Sequence, residues 1–266
     1  MSTYSLEHKL FLKKIKRNKW FVRFSQLLII IFFLGIWELS SELGYINAFL
    51  SSSPSRVFHT FISLLKDNNL WNHVWVTVYE TLVSFILASG IGFIIASILW
   101  WNKTIAKILD PYLTILNSLP KVALGPLIII WVGANTNSII FMALLISTFI
   151  TIINIYQGFI STDHYFITLM HTFNAKKRQI FIHLIVPSNK NNLINCLKVN
   201  ISMSLIGVIM GELLVSKEGL GYLIMYGSQV FNINLVITSV VILAIISYLM
   251  YAVIAFIEKR QLRINS

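Results

Sequence analysis

Charged side chains inside apolar segments are the residues of this sequence best placed to do chemistry. Lys121, Lys198 and Glu212 each fall in a stretch apolar enough to cross a bilayer. A charge at the centre of such a helix costs about 2.5–3.5 kcal/mol on insertion scales. Two readings stand for the lysines. Each can offer a cation to an anionic solute in a central cavity. Alternatively each is structural, Lys198 snorkelling to headgroups and Lys121 pairing with a nearby carboxylate. Glu212 is expected to brace the glycine turn that follows it, and Gly211, Gly219 and Gly221 to serve turns and close helix packing. Pro120 and Pro126 remove hydrogen bonds from the segment that holds Lys121, which is tolerable where neighbouring helices or a cavity satisfy the freed carbonyls. These prolines, both lysines and Glu212 are the candidate pathway residues. The histidines are scattered without an HExxH spacing, and the single cysteine, Cys196, excludes an internal disulfide and a cysteine-based metal cage. No catalytic residue and no metal ligand is assigned.

The elements that must position these residues are membrane spans. The chain is 56% hydrophobic and only 12% charged, against about 25% in soluble domains, and its mean hydropathy is +0.76. Apolar blocks near the ~20 residues needed for a span predict an all-α membrane protein with six transmembrane helices, at 24–46, 75–101, 108–132, 137–157, 191–215 and 235–257. Pro111, Pro120 and Pro126 interrupt the third. Val57, Phe58, Phe61, Ile62 and Leu65 recur at helical spacing and predict an interfacial helix within 51–69. The domain reading is a basic tail over 1–23, a transmembrane domain over 24–258 and a short tail over 259–266. No cleavable signal is read at the N-terminus.

Lysines and arginines collect in the N-terminal tail, after the second span, between the fourth and fifth, and at the C-terminus. That alternation places both termini in the cytoplasm and accounts for the net charge of +11 without nucleic acid. The connection between the fourth and fifth spans is then cytoplasmic, and it is not idle. Phe166, Leu169, Met170 and Phe173 recur at helical spacing. Asn174 suits the left-handed residue that ends a helix. A second short helix is expected from Lys176 to about Ile185, ending before Pro187. Lys176, Lys177 and Arg178 serve either as a topology-setting cluster or as part of a knob for a partner. The apolar face with Phe173 and Phe181 docks either on that partner or on the chain's own spans.

This passage resembles the "EAA" loop of permease subunits of binding-protein-dependent ABC importers. Thr168, Leu169 and Met170 fall at the EAA positions, Asn174 stands in place of the glycine, Ala175 follows it, and Pro187 matches the later proline. "GELLVSKEGLGYLI" (211–224) and "LPKVALGPLIIIWVG" (119–133) are similar to segments of the nitrate/sulfonate/taurine branch, and the similarity extends over about residues 74–258. Glu80 departs from relatives that carry Arg there. The resemblance implies a type I importer permease. It works as two membrane copies with two cytoplasmic ATP-binding subunits and an extracytoplasmic solute-binding protein, in the bacterial inner membrane among its lipids. The loop would be the coupling helix. The chain lacks a GxxxxGK[ST] loop, so ATP is assigned to the partner, no cofactor to this chain, and no enzymatic activity to it. Sulfonates, taurine, nitrate and pyrimidine-type vitamin precursors fit as solutes. An ion-coupled secondary transporter or a membrane scaffold is the alternative; the first would show inverted repeats and a midplane ionisable site.

Overall fold

The computed structural model describes residues 6–45, 51–67 and 69–264, and every regular element among them is helical. The ends of the two expected tails (1–5 and 265–266) and the close of the first expected span at Ile46 lie outside the described residues. The helices are α1 (Leu6–Glu42), α2 (Pro54–Lys66), α3 (Leu70–Trp101), α4 (Lys103–Ser118), α5 (Gly125–Val132), α6 (Thr136–Ile160), α7 (His164–Thr172), α8 (Lys177–Ile180), α9 (Lys190–Val215), α10 (Leu220–Gln229) and α11 (Ile233–Ile264). Five described helices are long and apolar enough to cross a membrane. The third expected span, 108–132, is the pair 103–118 and 121–132, bent by 82° at Pro120.

Two expectations are corrected. The helix after Lys176 does not stop before Pro187. A π-turn over Phe181–Ile185 lets the Val186 N–H reach the Phe181 carbonyl, and the chain runs on helically through Pro187 to Ser188. Proline cannot donate to the i−4 carbonyl, and the wider turn re-routes the bonding around that gap. The glycine turn after Glu212 is also more than a turn. It opens a helix of ten residues, α10, that returns toward α11.

α3, α6 and α9 form the core of the bundle, because small residues let their backbones approach. Ala88, Ala96 and Ala143 are fully buried. A Cβ added at Gly207 would collide with the Ala143 backbone of α6, and one at Gly211 would lie 2.9 Å from Ile139 Cα. Around this core the helices turn large apolar side chains outward, as lipid-facing helices do. The apolar window of α1 is not buried at all. α1 is tied to the rest where Glu38 accepts from the Ser55 N–H (2.9 Å) and hydroxyl (2.7 Å) at the start of α2.

The Gly207 contact is testable. Gly207→Val should lower the thermal unfolding midpoint of the detergent-solubilised protein by the equivalent of roughly 1–3 kcal/mol, the usual cost of overpacking. Gly90→Ala, where an added Cβ meets nothing within 4 Å, should leave the midpoint unchanged or slightly raised. An unshifted midpoint for Gly207→Val would show that α6 and α9 do not pack this closely.

Candidate functional site

The connection between α6 and α9 folds as a knob with two faces. Asp163 caps α7 by accepting from the Tyr165 N–H at 2.9 Å. Asn174 ends the helix with φ of +56°, and the Ala175 N–H reaches back to the Met170 carbonyl at 3.1 Å. The turn therefore uses asparagine where a left-handed residue is required. Lys176 opens the next helix, its N–H bonded to Gln179 Oε1 at 2.7 Å.

The inner face of the knob is locked to the spans. Phe181 is buried with its ring centroid 4.9 Å from Trp100, 5.4 Å from Trp101 and 5.5 Å from Phe159. Met170 and Ala175 pack on the same cluster. Lys177 donates to the Trp101 carbonyl at 2.5 Å and lies over the Trp100 ring. The outer face is bare: Phe173 is 75% exposed, Tyr165 69%, and Phe166 and Leu169 are exposed beside them. The two phenylalanines expected on one apolar face are thus divided, Phe181 turned to the chain's own spans and Phe173 to the outside. Thr168, Lys176 and Arg178 are exposed as well.

A second constellation sits at the opposite end of the bundle, around the start of α10. The first N–H groups of a helix have no partner within it, and here Leu220 and Gly221 are buried. Acceptors come from two other helices. Gly219 N–H donates to His73 Nδ1 (3.0 Å), Leu220 N–H to Thr77 Oγ1 (2.8 Å) and Gly221 N–H to Glu212 Oε2 (2.5 Å). The Thr77 hydroxyl itself donates to Glu212 Oε1 at 2.6 Å. Acceptance at Nδ1 puts the neutral imidazole proton on Nε2. Gly219 has φ of +103°, and a Cβ there would strike the Glu212 carboxyl; one at Gly221 would come within 2.7 Å of Glu212 Cβ. Glu212 therefore braces the turn as expected, and Gly219 and Gly221 make room for it.

Glu80, one helical turn beyond Thr77, is 1% exposed. Its carboxyl lies within hydrogen-bonding reach of the Glu212 carboxyl and the Thr136 hydroxyl. His73 and Thr77 belong to no motif in the sequence, and Glu80 stands out there only as a departure from relatives that carry Arg. Their spacing of three and four along one face of α3 was the available signal.

The intramembrane lysines are occupied. Lys198 forms an ion pair with Glu258 of α11 at 2.5 Å. Lys121 donates to the Asn117 carbonyl at 2.8 Å, with the Phe149 ring at 5.9 Å, so its partner is an amide and not a carboxylate. Pro120 sits at the bend and Pro126 in the first turn of α5. Between α6 and α9, Asn154, Gln157, Asn192 and Asn195 line an amide-rich cavity of about 530 Å³.

Comparison with known proteins identifies relatives. A family model described as "Binding-protein-dependent transport system inner membrane component" matches residues 88–263. A Bacillus subtilis protein named for aliphatic sulfonates transport, the permease SsuC, is 26% identical over 86% of this chain and 83% of its own length. The formylaminopyrimidine transport permease ThiX of Halalkalibacterium halodurans is 27% identical over 87% of this chain and 92% of its own. An inward-facing structure of the MetNI methionine ABC transporter shares the fold, with a TM-score of 0.62 and 20% identity over 73% of this chain and 94% of that one.

The α10 brace makes a prediction. Thr77→Val keeps the shape but strands the Leu220 N–H and one oxygen of Glu212, and an unpaired buried polar group costs about 1–3 kcal/mol. The unfolding midpoint should fall, and hydrogen exchange in a 216–226 peptide should accelerate. Thr77→Ser, which keeps the hydroxyl, should restore most of both. Parent-like exchange in Thr77→Val would mean that this hydroxyl does not hold the helix start.

Proposed function

The chain belongs to the family of binding-protein-dependent transport system inner membrane components, and on that premise we propose how its two ends divide the work of import. It is the membrane-spanning permease subunit of an ABC importer; ATP is hydrolysed by a separate subunit, and an external protein brings the solute. Two copies pair to form the pathway, with both termini and the α7–α8 knob in the cytoplasm. Each copy offers its knob to one ATP-binding subunit, and lipid surrounds the apolar outer faces. The observation that carries this reading is the two-faced knob. Its inner face is fixed to the ends of α3 and α6 by aromatic packing, and its outer face leaves Phe173, Tyr165, Phe166 and Leu169 without cover. Exposed aromatics clustered along one short helix suit a protein groove better than water.

Movement of the ATP-binding subunits would push the outer face, and the locked inner face would carry that push into α3 and α6. The amide-lined groove between α6 and α9 gives a small polar solute hydrogen-bonding partners within the apolar bundle. The solute class falls between those named for the relatives, aliphatic sulfonates and a formylaminopyrimidine.

Phe173→Ala should weaken capture of the ATP-binding subunit by about tenfold or more, the range of an aromatic hot spot. Membrane insertion and the unfolding midpoint of the chain alone should stay unchanged. Phe181→Ala should lower that midpoint instead, because its ring is core. Pull-down of the ATP-binding subunit with each purified variant separates the two. Full capture by Phe173→Ala would place the docking surface elsewhere.

A further inference from the structure

The amide-lined cavity between α6 and α9 has a polarity of its own. Asn154 and Gln157 reach it from one face of α6, Asn192 and Asn195 from one face of α9, and no charged side chain lines it. Lys198, three residues beyond Asn195, is neutralised by Glu258 at 2.5 Å.

Two of the amides are held in a fixed orientation, because the partner of each can only donate or only accept. An ammonium has no lone pair, so the Asn195 atom 3.4 Å from Lys198 Nζ is the oxygen, and the NH2 group is left over. A carbonyl has no proton, so the Asn192 atom 3.2 Å from the Asn154 carbonyl is the nitrogen, and Oδ1 is left over. That oxygen is not enclosed, and no described residue donates to it. Gly158 lets Asn192 sit this close to α6, since a Cβ there would fall 1.9 Å from Asn192 Nδ2. The side chains of Asn154 and Gln157 have no hydrogen-bond partner among the described residues, so each can turn either end to a ligand.

A solute in this cavity therefore meets a fixed donor, a fixed acceptor and two amides that adapt. A sulfonate carries acceptors alone. It can use Asn195, but it sets an oxygen against Asn192 Oδ1, with no free cation to offset its lost hydration. A neutral heterocycle with an N–H beside a ring nitrogen or a carbonyl uses both fixed amides. The volume of about 530 Å³ admits one ring with a short substituent.

We propose that this cavity binds a neutral, planar heterocyclic amide or amine, with Asn195 donating to it and Asn192 accepting from it, and that it discriminates against sulfonates. The inference rests on the permease reading and chooses among the solute classes that reading leaves open.

The test uses the complex of the chain with its cognate ATP-binding subunit in lipid nanodiscs, dialysed to equilibrium against radiolabelled 4-formylaminopyrimidine or propanesulfonate. The pyrimidine should bind more tightly by about tenfold or more, the scale of one hydrogen bond made against one opposed. Asn192→Ala should weaken the pyrimidine by about tenfold. It should leave propanesulfonate unchanged or tighter, because the opposing oxygen is gone, whereas general damage to the bundle would weaken both. Gln157→Ala, which removes no hydrogen bond of the fold, should weaken the pyrimidine severalfold with the complex intact, and it decides the matter if Asn192→Ala does not assemble. Equal or tighter binding of propanesulfonate by the parent complex would overturn the proposal. So would binding of neither compound, or a pyrimidine affinity that neither variant changes. Failure of the parent chain to assemble with any ATP-binding subunit is a distinct result, which sinks the importer reading and this site with it.

Discussion

The start of α10 sets the condition that its end of the bundle must meet. A helix that begins among apolar helices presents N–H groups with no water to receive them, and each would cost several kcal/mol if left bare. His73, Thr77 and Glu212 receive them, from two helices that also meet where the Asn200 amide donates to Ser89 Oγ. That requirement orders much of what surrounds it. It fixes the register of α3 against α9 and keeps a carboxylate inside the protein. It also makes glycine obligatory at 219, where φ is positive and the Glu212 carboxyl leaves no room for a Cβ.

The spans were legible in the sequence because burial in lipid writes itself as uninterrupted apolar length, and the broken third span because prolines cannot hide. Asn174 was legible for a related reason, since few residues accept a left-handed backbone. The π-turn before Pro187 was not, because proline reports only that an ordinary helix cannot continue and says nothing about which wider turn will replace it. α10 escaped for want of length: ten residues with Gly219 just before them and Gly221 in the first turn read as a turn until the packing against α11 is known. The brace was half visible. Glu212 beside the glycines suggested a local support, but its partner Thr77 lies 135 residues away, and long-range pairing has no local signature.

The intramembrane charges show how tertiary context decides between readings that a sequence leaves open. Lys198 looked like a cation for a solute or for headgroups, and it neutralises Glu258 across α9 and α11. Lys121 sits one helical turn past Asn117, so the carbonyl freed near Pro120 has a donor at hand, and the lysine serves the break that the proline makes. Breaking either pair would leave a charge or a carbonyl unsatisfied in an apolar setting, a larger penalty than forming the pair is a gain. In each case the charge is consumed by the fold. The buried Glu80 carboxyl is likewise taken up, by the facing Glu212 carboxyl and the Thr136 hydroxyl.

The two constellations are joined by the most continuous helix of the core. α3 runs without a break for 32 residues, about 48 Å at ~1.5 Å per residue. Its last turn lies under Phe181 and Lys177, and its first turns carry His73, Thr77 and Glu80. α6 likewise has Phe159 at the knob and Asn135 and Thr136 at the opposite end. A displacement of the knob thus meets rods, not springs. The compliant part of the bundle is the third span, where the 82° bend and the loss of proline N–H groups leave fewer bonds to resist movement. Stiff helices that link both ends, set beside a segment already broken in the middle, are the mechanical arrangement that a pathway opened from one side and closed from the other requires.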